Sequence, residues 1–576
     1  MTKDIEHVKY FCPPYLRKSK KKQSIQPIGL DTEADRQGRC FMIATSRADV
    51  FRPEQFPACF FSRRYRGQSF VCYNLKYDSG ALVQRLSSAT LKELQSTDKC
   101  TSGGYTYSAI ANKCLTIRKG KNSIHIYDML NFYHMSLHKA SLLYMNMQKN
   151  DLDPRLFTHK YTTENWAEIA KYCIQDAILV EKLADLIIKR FESYGVYPQK
   201  LYSIAYISFQ YFRTHTPYVI VKRFWEKERE LLSMAMQSYN GGKFEVTRKG
   251  TGYFHEYDIV SAYPFEIRNL IDISWARVVR ENKYRKNAIY GFLHVKMNIP
   301  VQVFSPSVVM RGMVNTYPVG NIERVITKSE YEYLISQGVD ITILDAYWIH
   351  VTNKQFPYRR EIDKLSKLKD SFKQSGKELD YHTIKILLNS LYGKMVQLID
   401  KKEYFQAGAS WNPIYGSVIT ANVRIRVSSM QQTYPEVVAV HTDSVLSTAP
   451  LPLEGAGALG TFEKKAEGEG VIIGSGIYQV GNKVKLRGIE KNLSLLELIK
   501  VCGKQLSIDC QHVYSWREVA FRGWDTFHIN LFDTVPKKIE VNFDQKRLWI
   551  DDWENWQDVV KRPVESVPLV NSTFLF

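Results

Sequence analysis

The sequence predicts a multidomain protein of mixed α/β and α+β class, and three observations carry that expectation. At 576 residues the chain is too long for one hydrophobic core and should divide into roughly three to five domains or subdomains. Short apolar strands that run into acids, such as IQPIGLDTEAD from Ile25 and YFHEYDIVSAYP from Tyr253, alternate with helical patterns such as Trp166 to Gly195. Val437 to Val445, VVAVHTDSV, reads as a buried hairpin carrying a carboxylate at its tip. No internal repeat or low-complexity linker separates these pieces, so the domains are expected to pack closely.

A formal charge of +20 suggests a polyanionic partner, and 36 Tyr with 28 Phe supply faces on which bases could stack. Charge alone leaves ribosomal, membrane-surface and nucleic-acid roles open. Nine cysteines without any CxxC argue for reduced thiols in an intracellular protein and against a zinc site or a disulfide framework. No apolar run approaches the roughly 20 residues needed to span a bilayer, and the N-terminus lacks a signal-peptide pattern. The basic run RKSKKK, Arg17 to Lys22, reads as a solvated arm.

Taken in order, Asp31 and Glu33 stand at i and i+2 on one strand face, where like charges repel unless a cation sits between them. Phe70 to Leu82, FVCYNLKYDSGAL, reads as a strand that ends by presenting Asn74, Tyr77 and Asp78. On the amphipathic helix from Trp166, Tyr172 and Asp176 stand one turn apart. Singly, these are a solvated strand edge and a surface hydrogen bond. Together Asp31, Glu33, Asp78 and Asp176 suffice to hold two divalent cations about 3.5 to 4 Å apart for attack of water on a phosphodiester.

A second helical region, Leu201 to Gln237, carries an aromatic stripe whose spacing is more often core than a base-stacking platform. It ends in Tyr239-Asn240-Gly241-Gly242-Lys243, which suits either a plain turn or a close backbone approach to another chain. Next, Phe254, Glu256 and Asp258 share one strand face. Asp258 opposite Asp443 gives the two anchors that two-metal phosphoryl transfer requires, and alternation puts His441 on the same face as Asp443. KILLNSLYG, read as a helix, sets Lys385, Asn389 and Tyr392 on one face, with the charged end suited to a triphosphate and the Tyr end to a base pair. Lys369, in a basic helix, offers a second triphosphate contact.

The order DxE, NLKYD, YxxxD resembles the three exonuclease motifs of proofreading DNA polymerases. The order DxxSxYP, KxxxNSxYG, TDS resembles the signature of family B DNA polymerases, most closely the protein-primed branch of small phages and linear plasmids, over nearly the whole chain. The resemblance implies an RNase H-like exonuclease domain (1–198), connecting helices and a YxGG segment (199–250), a palm and fingers (251–488) with a terminal-protein-region-like insertion at about 267–357, and a thumb (489–576). It implies that Asp31, Glu33, Asp78 and Asp176 bind metal, that Tyr172 orients water, that Lys149 lies near the scissile phosphate, and that Asn74 and Tyr77 hold the unpaired primer end. In the polymerase part it implies Asp258, Asp443 and the Ile259 carbonyl as metal ligands. Tyr263 would exclude a 2′-hydroxyl; Tyr239, Gly241, Gly242, Thr442, Ser444 and Tyr478 would touch DNA. The implied cofactor is Mg²⁺, two ions per site, with Mn²⁺ as a substitute. Primer–template DNA, dNTPs and a terminal protein are the implied partners of a monomer without membrane attachment, working in a host cytoplasm.

Three departures from the family pattern stand out. His441 occupies a position that is usually Asp, and catalysis is expected to survive with an altered preference for Mn²⁺ over Mg²⁺. A second insertion, which in relatives helps encircle DNA, is cut to Lys394–Pro413. The later KxY motif keeps Tyr478 but has Gly476 where Lys is usual, leaving Lys483, Lys485 and Arg487 to supply primer-strand charge. The expected activity is DNA-dependent DNA synthesis with 3′-5′ proofreading from a terminal-protein primer. The alternatives are a polymerase using nucleic-acid primers or none, an exonuclease with an impaired polymerase site, and a decayed DNA-binding remnant.

Overall fold

The computed structural model describes residues 5–11, 22–150, 152–153, 156–401, 403–453, 457–487, 494–502 and 506–571. Residues 17–21 of the basic run and the Gly488-Ile489 boundary lie outside them. In the first domain an eight-stranded sheet runs in the order Val50–Phe51, Cys40–Thr45, Ile28–Ala34, Ser69–Cys72, Asn122–Asp128, Cys114–Lys119, Tyr105–Ile110, Lys99–Ser102. Its centre is parallel and its flanks are antiparallel. The helix Trp166–Ser193 covers one face, burying Ile169, Cys173, Ala177, Val180, Leu183 and Ile187 at the expected helical spacing. It crosses the acid-bearing strand Ile28–Ala34 so closely that a Cβ on Gly29 would lie 1.8 Å from the Ala177 carbonyl oxygen. That contact fixes Asp31 and Glu33 relative to Asp176.

The expected helical region after residue 200 is three helices, Ile204–His215, Lys222–Lys227 and Arg229–Ser238, because Pro217 cannot continue the first of them. Its aromatic stripe is core: Tyr211, Phe212 and Phe224 are buried in one cluster with Leu387 and Leu391.

The central sheet runs Lys243–Val246, Val437–Thr442, Ser444–Ser447, Arg248–Ile259, Phe462–Gly474, Ile477–Val480, Lys483–Leu486. The expected hairpin forms its second and third strands. Helices Arg359–Gln374 and Glu378–Met395 stand over one end, and Pro413–Thr433 is buried behind the hairpin strand. The insertion expected at about 267–357 adds no strand to this sheet. Instead Arg277–Arg280, Asp340–His350, Tyr290–Ile299 and Val319–Thr327 form a separate sheet with Val570–Asn571, around its own core of Leu293, Val295, Ile322 and Leu334.

Between the helices that end at Met395 and begin at Pro413, the described residues make two short strands, Leu398–Asp400 and Phe405–Ala407, the second paired in parallel with Val8–Tyr10. Tyr10 packs there against Trp225 and Trp411. In the C-terminal unit Trp553 and Trp556 are core residues beside Val471, Ile473, Leu495 and Ile499. Among the described residues no disulfide occurs and no helix is long and apolar enough to cross a membrane.

Candidate active sites

The structure brings the four acids of the first domain together. Asp31 and Glu33 come from the strand Ile28–Ala34, and one carboxylate oxygen of each lies within 4.8 Å of the Cys173 thiol. Asp78 does not sit at a strand end as the sequence suggested. The strand stops at Cys72, Asn74 takes a left-handed conformation (φ 73°), and Asp78 lies in the first turn of the helix Leu75–Val83. Thr32 donates to its Oδ1 at 2.8 Å. Asp176 is paired with the Lys149 ammonium, which also lies 4.8 Å from the centre of the Tyr172 ring. Asn74 is exposed and Tyr77 half-buried beside the cluster.

Burial and mutual repulsion dominate the electrostatics of this cluster. Burial, then Asp176, pushes Asp31 up to about 7. Burial, then Asp31, pushes Glu33 and Asp78 well above the usual carboxylate range. The Asp176 Oδ1 is buried without a hydrogen-bond partner. Acids that repel and leave an oxygen orphaned fit the oxygen-donor shell of hard divalent cations.

In the central sheet Asp258 pairs in register with Ser444, and the Ile259 amide donates to the Asp443 carbonyl at 2.9 Å. The hairpin turns tightly: the Asp443 amide donates to the His441 carbonyl at 2.9 Å around Thr442, whose φ is 66°. A β-branched residue there is strained. Gly242 lies against it, since a Cβ on Gly242 would meet the Thr442 Cγ2 at 2.6 Å. Simple strand alternation therefore does not carry through Thr442, although His441 and Asp443 line one cleft of about 1190 Å³ with Gly241, Gly242, Glu256, Asp258, Ser444, Tyr478, Lys483 and Lys485. Burial, then Asp258, pushes Asp443 up to about 7, and burial raises Asp258, whose Oδ1 has no partner.

His441 is 7% exposed, stacks on Tyr478 at 4.5 Å and meets Phe244 edge-on. Burial, then Lys546, lowers its pKa to about 3, so the imidazole is neutral. Glu256 is not free to act beside Asp258: it accepts from the Tyr478 hydroxyl at 3.0 Å and pairs with Lys483 at 2.6 Å. Beside Gly476, where the KxY lysine is missing, the nearest cation among the described residues is Arg487, whose amide donates to the Gly476 carbonyl at 3.2 Å.

A second cleft of about 790 Å³ opens on the other side of Asp258 and Asp443 and is lined by Ile259, Tyr263, Lys369, Lys385 and Asn389. Tyr392 stacks on Tyr263 at 5.0 Å, and its hydroxyl meets that of Tyr239 at 2.5 Å. Lys369 donates to Ser261 at 3.0 Å, and Ser261 itself holds φ 50°.

Several residues were missed by sequence reasoning. Lys373, Tyr381 and Lys465 line the second cleft. Cys173 faces the first acid pair. Arg424, fully buried, pairs with Glu330 at 2.8 Å and donates to the carbonyls of Asn240 and Gly241 at 2.8 and 3.1 Å, fixing the YxGG segment. Only Arg424 left a trace in the sequence, as a charge inside the apolar run VITANVRIRV.

Residues 158–410 match the family described as DNA polymerase type B, organellar and viral. No curated protein matches the chain. Among solved structures, it is similar to Phi29 DNA polymerase complexed with primer–template DNA and incoming nucleotide substrates, at 14% identity and a TM-score of 0.63 over 90% of this chain and 100% of that one. The binary complex with primer–template DNA gives 15% identity and 0.62 over the same shares. The complex with single-stranded DNA gives 14% and 0.57 over 86% of this chain and 96% of that one. The chain therefore shares the multidomain mixed α/β fold of that polymerase over nine-tenths of its length.

Proposed function

We propose that this chain is a type B DNA polymerase that copies DNA from a primer–template at the Asp258/Asp443 site and trims primer ends by 3′-5′ hydrolysis at the Asp31/Glu33/Asp78/Asp176 site. The observation that carries the reading is the pair Asp258/Asp443 between two clefts, one basic and nucleotide-sized and the other long and lined by Gly241, Gly242, Tyr478 and Lys483. The same arrangement favours it over a decayed DNA-binding protein, whose buried acids would have no reason to stay crowded at a cost in repulsion.

Asp258, Asp443 and the Ile259 carbonyl would hold the polymerase metals, and the four acids of the first domain would hold the exonuclease pair. Divalent cations such as Mg²⁺, when bound, neutralise developing phosphate charge and ease deprotonation of the attacking hydroxyl or water. Lys369 and Lys385, joined by Lys373 and Lys465, bind the triphosphate, and Asn389 stands beside them. Tyr263, braced by Tyr392, forms the floor under the sugar and crowds out a 2′-hydroxyl. Gly241 and Gly242, placed by Arg424, let template backbone pass close to Thr442 and Ser444. Tyr478 and Lys483 face the primer strand. Tyr172 orients water, Lys149 holds Asp176 and reaches toward the scissile phosphate, and Asn74 and Tyr77 receive the frayed end. Between two strands of the separate sheet, the hairpin Val309–Arg311 with Val314–Thr316 lines the primer cleft, which supports a role of 267–357 in priming by a terminal protein. The chain would act as a monomer in its host's cytoplasm.

The test is a 5′-labelled primer on a longer template, with Mg²⁺ or Mn²⁺ and dNTP raised from zero. Shortening that gives way to extension is expected. Shortening at every dNTP level in both metals would leave only an exonuclease on a polymerase scaffold. Addition of a first nucleotide to a protein hydroxyl, without a DNA primer, tests terminal-protein priming.

A further inference from the structure

Strands Leu506–Val513 and Phe532–Ile539 form a free-standing two-stranded arm, paired from Leu506 opposite Ile539 to Val513 opposite Phe532. At about 3.3 Å per residue it reaches roughly 25 Å. Only its base is buried, through Leu506, Ile508 and Ile539 in the core of the C-terminal unit; the rest is half-buried or exposed. A lone two-stranded ribbon is marginal in water, so the far end needs an anchor.

The anchor is the first domain. The tip of the arm, residues 514–531, carries the helix Trp516–Arg522, and Trp516, Val519, Ala520 and Ile529 are buried in the core of Leu75, Leu82, Leu91 and Leu94. The Trp516 indole donates to Ser79 at 3.1 Å, Asn530 donates to the Tyr77 carbonyl at 2.9 Å, and Arg517 pairs with Asp98 at 2.9 Å. The receiving surface is cut to fit: a Cβ on Gly38 would lie 2.5 Å from the Ile529 carbonyl oxygen, and one on Gly80 2.6 Å from the Asn530 Oδ1. The first domain also rests on the helix Glu378–Met395, through Arg190 on Asp380 at 3.4 Å and His382 against the Phe132 carbonyl at 2.9 Å. These contacts thus close a loop: first domain, central sheet, C-terminal unit, arm, tip, and back to the first domain.

We propose that the docked tip is a clasp, closing this loop around primer–template DNA that runs between the two carboxylate clusters. The proposal rests on the polymerase reading above. It gives the enclosure that residues 394–413 cannot, since these are folded into a small sheet with the N-terminal strand.

The test uses the full chain with Arg517→Cys and Asp98→Cys, loaded on a primed closed-circular template and then joined by a short bismaleimide; the unsubstituted chain given the same reagent controls for native thiols. The crosslinked protein should stay on the intact circle through a high-salt wash and leave once the circle is cut. Release from the intact circle as readily as from linear DNA, or a pair that does not crosslink, overturns the clasp. Trp516→Ala should shorten the product made per binding event, with a trap present, by more than it slows addition of the first nucleotide; equal product lengths would also overturn it. Failure of the polymerase reading shows separately, as no nucleotide addition by the unsubstituted chain in either metal.

Discussion

The two carboxylate clusters are held by different means. In the central sheet Asp258 and Asp443 are placed by backbone: strand register opposite Ser444, the Ile259 amide on the Asp443 carbonyl, and a tight turn at Thr442. In the first domain Asp31, Glu33, Asp78 and Asp176 come from one strand and two helices, and the last two are tied down by side chains, Thr32 and Lys149. A backbone-placed pair tolerates changes in its neighbours. A side-chain-placed cluster should fail when one neighbour is removed, although that neighbour carries no negative charge.

The largest effect that tests this contrast is Asp443→Asn, expected to lower primer extension by about 10² to 10³-fold, the loss typical when one charge-stabilising group is removed, while primer shortening without dNTP continues. Equal loss of both activities would mean that the clusters do not act independently. Lys149→Met should lower shortening by roughly 10 to 100-fold, the usual cost of removing a group that orients a metal ligand, and leave extension intact. Shortening at the original rate would show that Asp176 needs no support.

Metal dependence sharpens the comparison through pH. Asp31 and Asp443 are both raised to about 7, chiefly by burial and then by a neighbouring acid. A carboxyl whose pKa is raised by folding contributes stability below its unfolded pKa and loses it as pH climbs through the folded value. Cations compete with those protons and relieve the repulsion that replaces them. The gain in thermal midpoint on adding Mg²⁺ should therefore grow as pH rises through about 7, and Asp31→Asn should remove part of that growth. A gain equal at pH 5 and pH 8 would detach it from these acids.

The smallest effect is expected at His441. Its neutral ring is stacked on Tyr478 and not bonded to either acid, so His441→Asp should keep extension within about tenfold, the lower end of what a group behind the metal ligands costs, while shifting the ratio of Mg²⁺- to Mn²⁺-supported rates. Loss of all extension would show that the imidazole touches the reacting atoms.

What the sequence determined by itself is local. Alternation and turn chemistry predicted the hairpin with Asp443 at its tip, helical spacing placed Lys385 and Asn389 on one face, and paired carboxylates marked the strand of Asp31 and Glu33. Each depends on neighbours within a few residues, where backbone geometry alone decides which side chains meet. What failed locally failed for backbone reasons as well: Asn74 and Thr442 adopt positive φ that no periodicity announces, moving Asp78 onto a helix and breaking the alternation of His441 with Asp443. The rest only tertiary structure could decide. Cys173 reached the acids because Gly29 lets a helix lie on a strand, Lys483 found Glu256 through sheet pairing, and Arg424 fixed Gly241 from a buried helix. The docking of Trp516 on Ser79 spans more than 400 residues of chain. Such contacts depend on how whole elements stack and on which surfaces have room to receive them, and no local pattern encodes that.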